Sequence, residues 1–543
     1  MMDAKFRRDI QILVIDEQAL AQNYLKHSLE RLGFPTVQVT DRASQALHLC
    51  SEIEFDVIVI ALNLQQGKDG FQLYEEIKTR RLQPAHTAYL FVSADTDPSL
   101  VHSVLELQPD DFLVKPYTMA DLQQRLDRLI RRKFALKRIF DWLDKQQPAE
   151  ALQQVDTELA ANPSPRLAPT LLKLKGDLML LLQLNVEAAA FFRKVLQVQN
   201  FSWAELGLLR ALRELGEIAE VKQRLEFLVN RPETRLPALD LQAELAFAAN
   251  DPEAALEDLK QASELAPRNL YRQQKLYQLS RLNHDYEQQY KTARDLVKFA
   301  RNSMYDQPSL YLNLARACID YAVSVDEDQQ TNKLGRQAND ALNQLKTSFP
   351  DSDTKTQQNV VQARLYYMQE QKDKAKQVLE KLPNSMVTID NLEDALDRAK
   401  ALHEVGLIQL SRQWFDRIVE FCGEQPTDPY LASYLAQEQK ERAELTTAPR
   451  ELNNIAVMHY QQGNWQLALT AFEHAFRLLP KNLGIALNLW QSIVTAPADA
   501  VTQRPRKELE RACWQVIESS TLSNEQQQRV AKLRKQYPAQ KTS

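Results

Sequence analysis

The run Phe55-Asp56-Val57-Ile58-Val59-Ile60-Ala61-Leu62-Asn63 decides how the first part of the chain is read. After the aspartate come five apolar residues, mostly β-branched. That pattern suits a parallel strand covered on both faces, running into a loop. In open α/β sheets, chemistry sits in the loops just past the carboxyl ends of such strands. Ala61 stands where a reactive group is expected, and it offers only a methyl.

Working outward, residues 10–131 alternate short apolar strands with helical patterns. Strands are expected at 12–15, 36–39, within 55–63, at 88–92 and at 112–114. Helices are expected at 19–32 (ended by Gly33), 43–51, 71–80 and 99–107. A further helix starts at Met119 and runs without a break to Phe140. Five βα units read as an α/β doubly wound, five-stranded parallel sheet.

Four short motifs fall at the ends of these strands. Asp16-Glu17 follows the first, Asp69-Gly70 closes the loop after the third, Ser93-Ala94 follows the fourth and Lys115-Pro116 the fifth. In this order and spacing they resemble the receiver domain of bacterial two-component response regulators, of the flavodoxin-like, chemotaxis-regulator type, over residues 1–131. The resemblance implies a Mg²⁺ site at the acidic pair and at an aspartate ending strand three, which accepts the phosphoryl group. It implies that Ser93 and Lys115 contact the phosphoryl oxygens, that Phe112 is the aromatic switch and that Lys115-Pro116 is cis. Phosphoryl transfer to a carboxylate needs a cation to neutralise charge and donors for the equatorial oxygens, so these residue types are the expected ones.

Ala61 occupies the acceptor position, so no phospho-acceptor and no catalytic residue is assigned. The following loop is one residue longer than the family's, through Gln65-Gln66, and lacks its proline. Mg²⁺ requires several oxygen ligands in octahedral array. Asp16, Glu17 and the Asn63 carbonyl offer a weak site at most, and no cofactor is expected. The remnants also fit a plainer role: Asp16 and Glu17 cap a helix amino terminus, and Lys115 pairs with Asp16.

From residue 132 to 543 the pattern is helical. Leu122, Leu126, Leu129, Ile130, Leu136 and Phe140 make one apolar stripe. The opposite face carries Arg125, Arg128, Arg131, Arg132, Lys133, Lys137 and Arg138, diluted by Asp127, Asp141 and Asp144, and reads as solvated. Residues 448–482 place Ala456, Tyr460, Gly463, Ala468, Phe472, Ala475 and Pro480 as a tetratricopeptide repeat does, and so resemble that family. Weaker copies share the phasing: Gly176, Ala188 and Phe192; Gly207 and Ala219; Ala243, Ala255, Ala262 and Pro267; Ala363, Ala375 and Leu379; Ala399, Gly406 and Phe415. Such repeats stack into an all-α solenoid of about ten helix pairs with a polar end cap. Residues 325–333 are expected to insert a loop, and breaks are expected at 426–429 and 446–449.

Composition excludes much else. The chain has 543 residues, a net charge of −5 and 26% charged residues, which gives no support to bulk nucleic-acid or membrane binding. Eleven glycines argue against glycine-rich phosphate loops. Cys50, Cys318, Cys422 and Cys513 form no C-x-x-C pair. No apolar run reaches the length of a membrane span. A cytoplasmic, bacterial, non-enzymatic protein is expected.

Its partners are expected to be another two-component protein at the receiver and a peptide or helix in the solenoid groove, with Asn313, Asn454 and Asn488 presenting amides there. The expected role is that of a protein–protein interaction adaptor in two-component signalling. The alternative is an atypical response regulator whose helical repeats bind nucleic acid or modulate a receiver's phosphorylation.

Overall fold

The computed structural model describes residues 4–536 except 65–66, 96, 162, 326–327, 384–390, 444–448, 498–499 and 521. Five strands, β1 (Gln11–Ile15), β2 (Thr36–Thr40), β3 (Val57–Ala61), β4 (Ala88–Ser93) and β5 (Asp111–Val114), form one parallel sheet in the order β2-β1-β3-β4-β5. β3 lies at the centre, pairing Ile60 with Ile15 of β1 and with Phe91 of β4. All five of its residues are buried.

The six helices of this domain are α1 (Ala4–Arg8), α2 (Ala19–Arg31), α3 (Ala43–Glu52), α4 (Gly70–Thr79), α5 (Pro98–Glu106) and α6 (Met119–Ala135). Alternation along a strand sends successive side chains to opposite faces. Val57 and Val59 therefore pack with Leu25 and Leu29 of α2 and Leu122, Leu126 and Leu129 of α6. Ile58 and Ile60 pack with Cys50 of α3, Leu73 and Ile77 of α4 and Val104 of α5. Two capping boxes fix the helix starts: Asp69 with Gln72 opens α4, and Thr118 with Asp121 opens α6.

The helix expected to run unbroken from Met119 to Phe140 divides at Leu136, and a second helix spans Lys137–Asp144. The apolar stripe changes partners there. Up to Ile130 it faces the sheet; Leu136 and Ile139 pack instead with Ala151, Val155, Leu171 and Leu178. One straight helix cannot face both cores. Its basic face is not simply solvated either. Arg125 and Arg128 pair with Asp111, and Arg132 and Lys133 with Asp110, all at β5.

By packing, the chain falls into two compact units, Met1–Arg272 with Phe299–Asp306, and Gln273–Lys298 with Gln307–Ser543. The change from α/β to all-α structure comes near residue 131, but the first unit continues well beyond it. In that unit the sheet domain is followed by hairpins such as Ala168–Leu181 with Asn185–Val198, and Ser202–Glu214 with Ile218–Leu228. The ring of Phe192 fills the gap between two of them. A Cβ at Gly176 would lie 2.5 Å from it, and one at Gly207 only 2.3 Å. Most of the small residues picked out by phasing are buried, including Ala188, Ala243, Ala255, Ala262, Ala363, Ala375, Ala399, Ala456, Ala468 and Ala475. Ala219 is exposed, and Val221 takes the buried place in its helix.

In the second unit, hairpins include Pro308–Ser324 with Asp328–Ser348, Lys355–Met368 with Lys372–Glu380, and Leu392–Glu404 with Ile408–Glu424. Residues 328–333, expected to form a loop, lengthen the helix Asp328–Ser348 instead; 326–327 lie outside the described residues. Between the expected breaks stands an additional helix, Pro429–Ala443, and the tetratricopeptide-like pair Pro449–Gln461 with Trp465–Leu478 follows it. Of the second break, 446–448 lie outside the described residues. No described helix is long and apolar enough to cross a membrane.

Gly207→Ala should lower stability by about 1–3 kcal/mol, because the Phe192 ring has no free space to move into. Urea denaturation checks this. Gly423→Ala, with no atom near its Cβ position, should leave stability unchanged or raise it.

Candidate functional site

The carboxyl ends of β1, β3, β4 and β5 bring four of the expected residues together. Asp16 directly follows β1 and is buried, and its backbone N–H donates to the Thr40 carbonyl at 3.2 Å. Both of its carboxylate oxygens are engaged. Lys115 Nζ donates to Oδ2 at 2.8 Å, and the Gln18 N–H donates to Oδ1 at 3.0 Å. Ser93, the last residue of β4, is buried, and its Oγ accepts the Asp95 N–H at 2.9 Å. The Lys115 N–H donates to the Ser93 carbonyl at 2.7 Å, and the Lys115-Pro116 bond is cis.

Ala61 ends β3 one residue past the Ile15–Ile60 pair, level with Asp16, and its methyl is buried. Glu17 is half-buried beside Asp16. Phe112 packs partly buried against the core under α3–α5.

This donor set does not suit a resident Mg²⁺. Ala61 supplies no oxygen, and the best-buried carboxylate is already neutralised by an ammonium and a backbone N–H. What remains is an ion pair that needs neither phosphate nor metal.

The loop after β3 is held at its far end. The Gly70 N–H donates to the Leu62 carbonyl at 2.9 Å, and a Cβ at Gly70 would lie 2.1 Å from the Ala61 oxygen, so only glycine fits. Gln65 and Gln66 lie outside the described residues. Residues about two hundred positions away in sequence then clamp the same segment. Arg268 pairs with Asp69 at 2.5 Å and lies over Phe71. Gln72 Nε2 donates to the carbonyls of Phe299 (2.8 Å) and Arg301 (3.1 Å), and Asn302 donates to the Gly67 carbonyl at 3.3 Å.

At the end of α5, Glu106 accepts from Asn269 and pairs with Arg272, which also pairs with Asp240. Sequence reading missed this clamp. Single arginines and amides scattered along helices carry no local signal of it. On the same face of α4, burial and then the neighbouring Asp69 push the Glu75 carboxyl up to about 7.

The three groove asparagines have different surroundings. Asn313 accepts from Arg316 at 2.8 Å. Asn488 donates to Asn453 and accepts from Arg529 of the last helix, Asn524–Gln536. Asn454 is exposed.

Residues 12–127 match the response regulator receiver domain, and residues 449–482 match the tetratricopeptide repeat. Chemotaxis protein CheY-3 of Vibrio cholerae is 26% identical over 131 residues, covering 24% of this chain and 99% of that protein. The transcriptional activator protein IrlR of Burkholderia pseudomallei is 32% identical over 124 residues, 23% of this chain and 51% of IrlR. Among solved structures, the receiver domain of the Francisella response regulator 1452 is 25% identical with a TM-score of 0.21, covering 23% of this chain and 98% of that one. The chain thus carries a response-regulator-like receiver domain at its amino terminus and a tetratricopeptide repeat within the helical region that follows.

Lys115→Met should destabilise the domain by about 1–3 kcal/mol, because it strands a buried carboxylate. The double variant Asp16→Asn, Lys115→Met should recover much of that loss in denaturant titrations. For Glu75, a carboxyl raised from the ordinary 4.5 to about 7 binds its proton more tightly folded than unfolded. Its contribution is full below about 4.5, falls as pH rises through that window, and is gone above 7. The melting temperature of the wild type should therefore drop more between pH 5.5 and 8 than that of Glu75→Gln.

Proposed function

We propose that this protein is a phosphorylation-independent adaptor of bacterial two-component signalling. Its receiver domain offers a surface rather than a phosphate switch, and its solenoid holds a second protein. The observation that carries this reading is the Asp16–Lys115 pair beside the Ala61 methyl. The lysine that would meet a phosphoryl group is bound to the carboxylate that would hold the metal, and no acceptor oxygen lies between them.

The clamp on the β3–α4 loop supports it further. A phospho-switch needs that region free to move between two states, whereas here Gly67, Asp69 and Gln72 are bound to the helical repeats of the same unit. Tetratricopeptide hairpins build extended concave surfaces, which suits a protein partner. No reaction is assigned to any residue, and the proposed setting is the cytoplasm, where response regulators meet their partners.

Incubation with acetyl phosphate and Mg²⁺ should leave the chain unlabelled at every carboxylate, as read by intact-mass spectrometry and Phos-tag gels. Stoichiometric, acid-stable but base-labile labelling of residues 1–131 would overturn the proposal.

A further inference from the structure

In the second unit, the first helices of successive hairpins turn a charged face inward. Arg364 is buried among Asp320 (2.8 Å), Asp397 (2.9 Å) and Glu404 (2.8 Å). Arg281 pairs with Glu393 at 2.7 Å, and Arg316 with Asp394 at 2.5 Å. These residues come from Leu270–Leu282, Pro308–Ser324, Lys355–Met368 and Leu392–Glu404. The helices stand so close that their charges pair from one to the next.

The helix Pro429–Ala443 lies on this charged face. Among the described residues it is not one arm of a hairpin but stands between two of them. Tyr434 and Glu438, one turn apart, are its polar anchors, 2% and 5% exposed, beside Leu435, which packs into the apolar cluster of Trp414, Phe415 and Ile418. Lys400 Nζ donates to the Tyr434 hydroxyl at 3.1 Å and lies 3.3 Å from Glu438. The tyrosine hydroxyl donates in turn to Glu438 at 2.5 Å. The Arg281 guanidinium sits 3.9 Å from the centre of the Tyr434 ring, a strong cation–π placement. Further along, Glu441 accepts from His284 at 3.0 Å. Burial alone would raise the Glu438 carboxyl; Lys400 and Arg442 outweigh it and hold it well below the usual carboxylate range.

Such a seat is costly to leave empty. Withdrawing the helix would leave Lys400 only Asp320, at 3.5 Å, and would uncover the face of Arg281 that now lies on the Tyr434 ring, and a buried charge that loses partners is unfavourable. Exchange for a ligand of the same chemistry avoids that cost, whereas simple opening does not. A helix with a basic residue at the Glu438 place would be rejected for the same reason.

We propose that this face is a helix-recognition site for a partner helix carrying tyrosine and glutamate in the pattern Tyr-x-x-x-Glu-x-x-Glu, and that Pro429–Ala443 occupies it in cis until such a partner displaces it. The proposal rests on reading the solenoid as an interaction platform, and it adds the partner's chemistry. A tethered helix competes at an effective concentration of roughly millimolar, so the intact chain binds partners only when they are better matched.

The test uses the full chain and a fluorescein-labelled peptide of residues 429–443, read by anisotropy. The double variant Tyr434→Ala, Glu438→Ala should bind the peptide at least tenfold more tightly than the wild type does. A peptide with Glu438→Lys should lose that binding. Equal binding of both peptides, or no binding to a variant whose circular dichroism is native, would overturn the proposal.

Native-state hydrogen exchange on the unaltered chain gives a second reading if the variant fails to fold. Amides of Pro429–Ala443 should exchange well before those of Leu392–Glu404; exchange of the two together would overturn it. Neither readout depends on the receiver. A failure here is thus distinct from labelling by acetyl phosphate, which would count against the phosphorylation-independent reading.

Discussion

Burial of β3 on both faces is the constraint on which the amino-terminal domain depends. A strand with no polar side chain from Val57 to Ala61 has no face to offer water. It must sit centrally and be covered twice. The alternation of its side chains assigns α2 and α6 to one layer and α3, α4 and α5 to the other. Parallel pairing then puts the ends of β1, β3, β4 and β5 at one edge, so Asp16, Ala61, Ser93 and Lys115 meet without further design. The geometry of a phosphoryl site follows from the sheet, whether or not the chemistry is present.

Two features stand out at that edge. The Asp16–Lys115 pair neutralises itself, and the loop beside it is tied to Arg268 and to residues 299–302. Both act in the same direction. The ion pair removes the need for an anion, and the clamp removes the freedom of the segment that would respond to one. A single methyl in place of a carboxylate is thus matched by packing around it.

The repeats show a different balance. In the first unit they pack through small residues against a large ring, as Gly176 and Gly207 do around Phe192. In the second unit small residues such as Ala363, Ala375 and Ala399 pack likewise, and paired charges join them, with Arg364 reached by three carboxylates. Buried ion pairs contribute little net stability but penalise every arrangement that leaves one member alone. They therefore favour selectivity over strength, which fits the helix-recognition role proposed for this face.

The receiver fold was legible in the sequence because its signals are local. Strand and helix periodicity, a glycine after a helix and four dipeptides near strand ends each depend on neighbours within a few residues, and they marked the five strands of the sheet. The repeat at 449–482 was legible for the same reason. Local pattern failed where partners change. The stripe of residues 119–140 reads as one helix, yet Leu136 leaves the sheet for a different core. It failed again at residues 328–333, whose charges read as loop but extend a helix. By itself the sequence determined the five strands and most of the helices, and that no carboxylate ends β3. Only the tertiary structure decided that Arg268 reaches Asp69, that Lys115 closes on Asp16 and that Pro429–Ala443 lies over Lys400. Those contacts join residues tens to hundreds of positions apart, and a periodicity confined to one helix carries no information about which distant face it will meet.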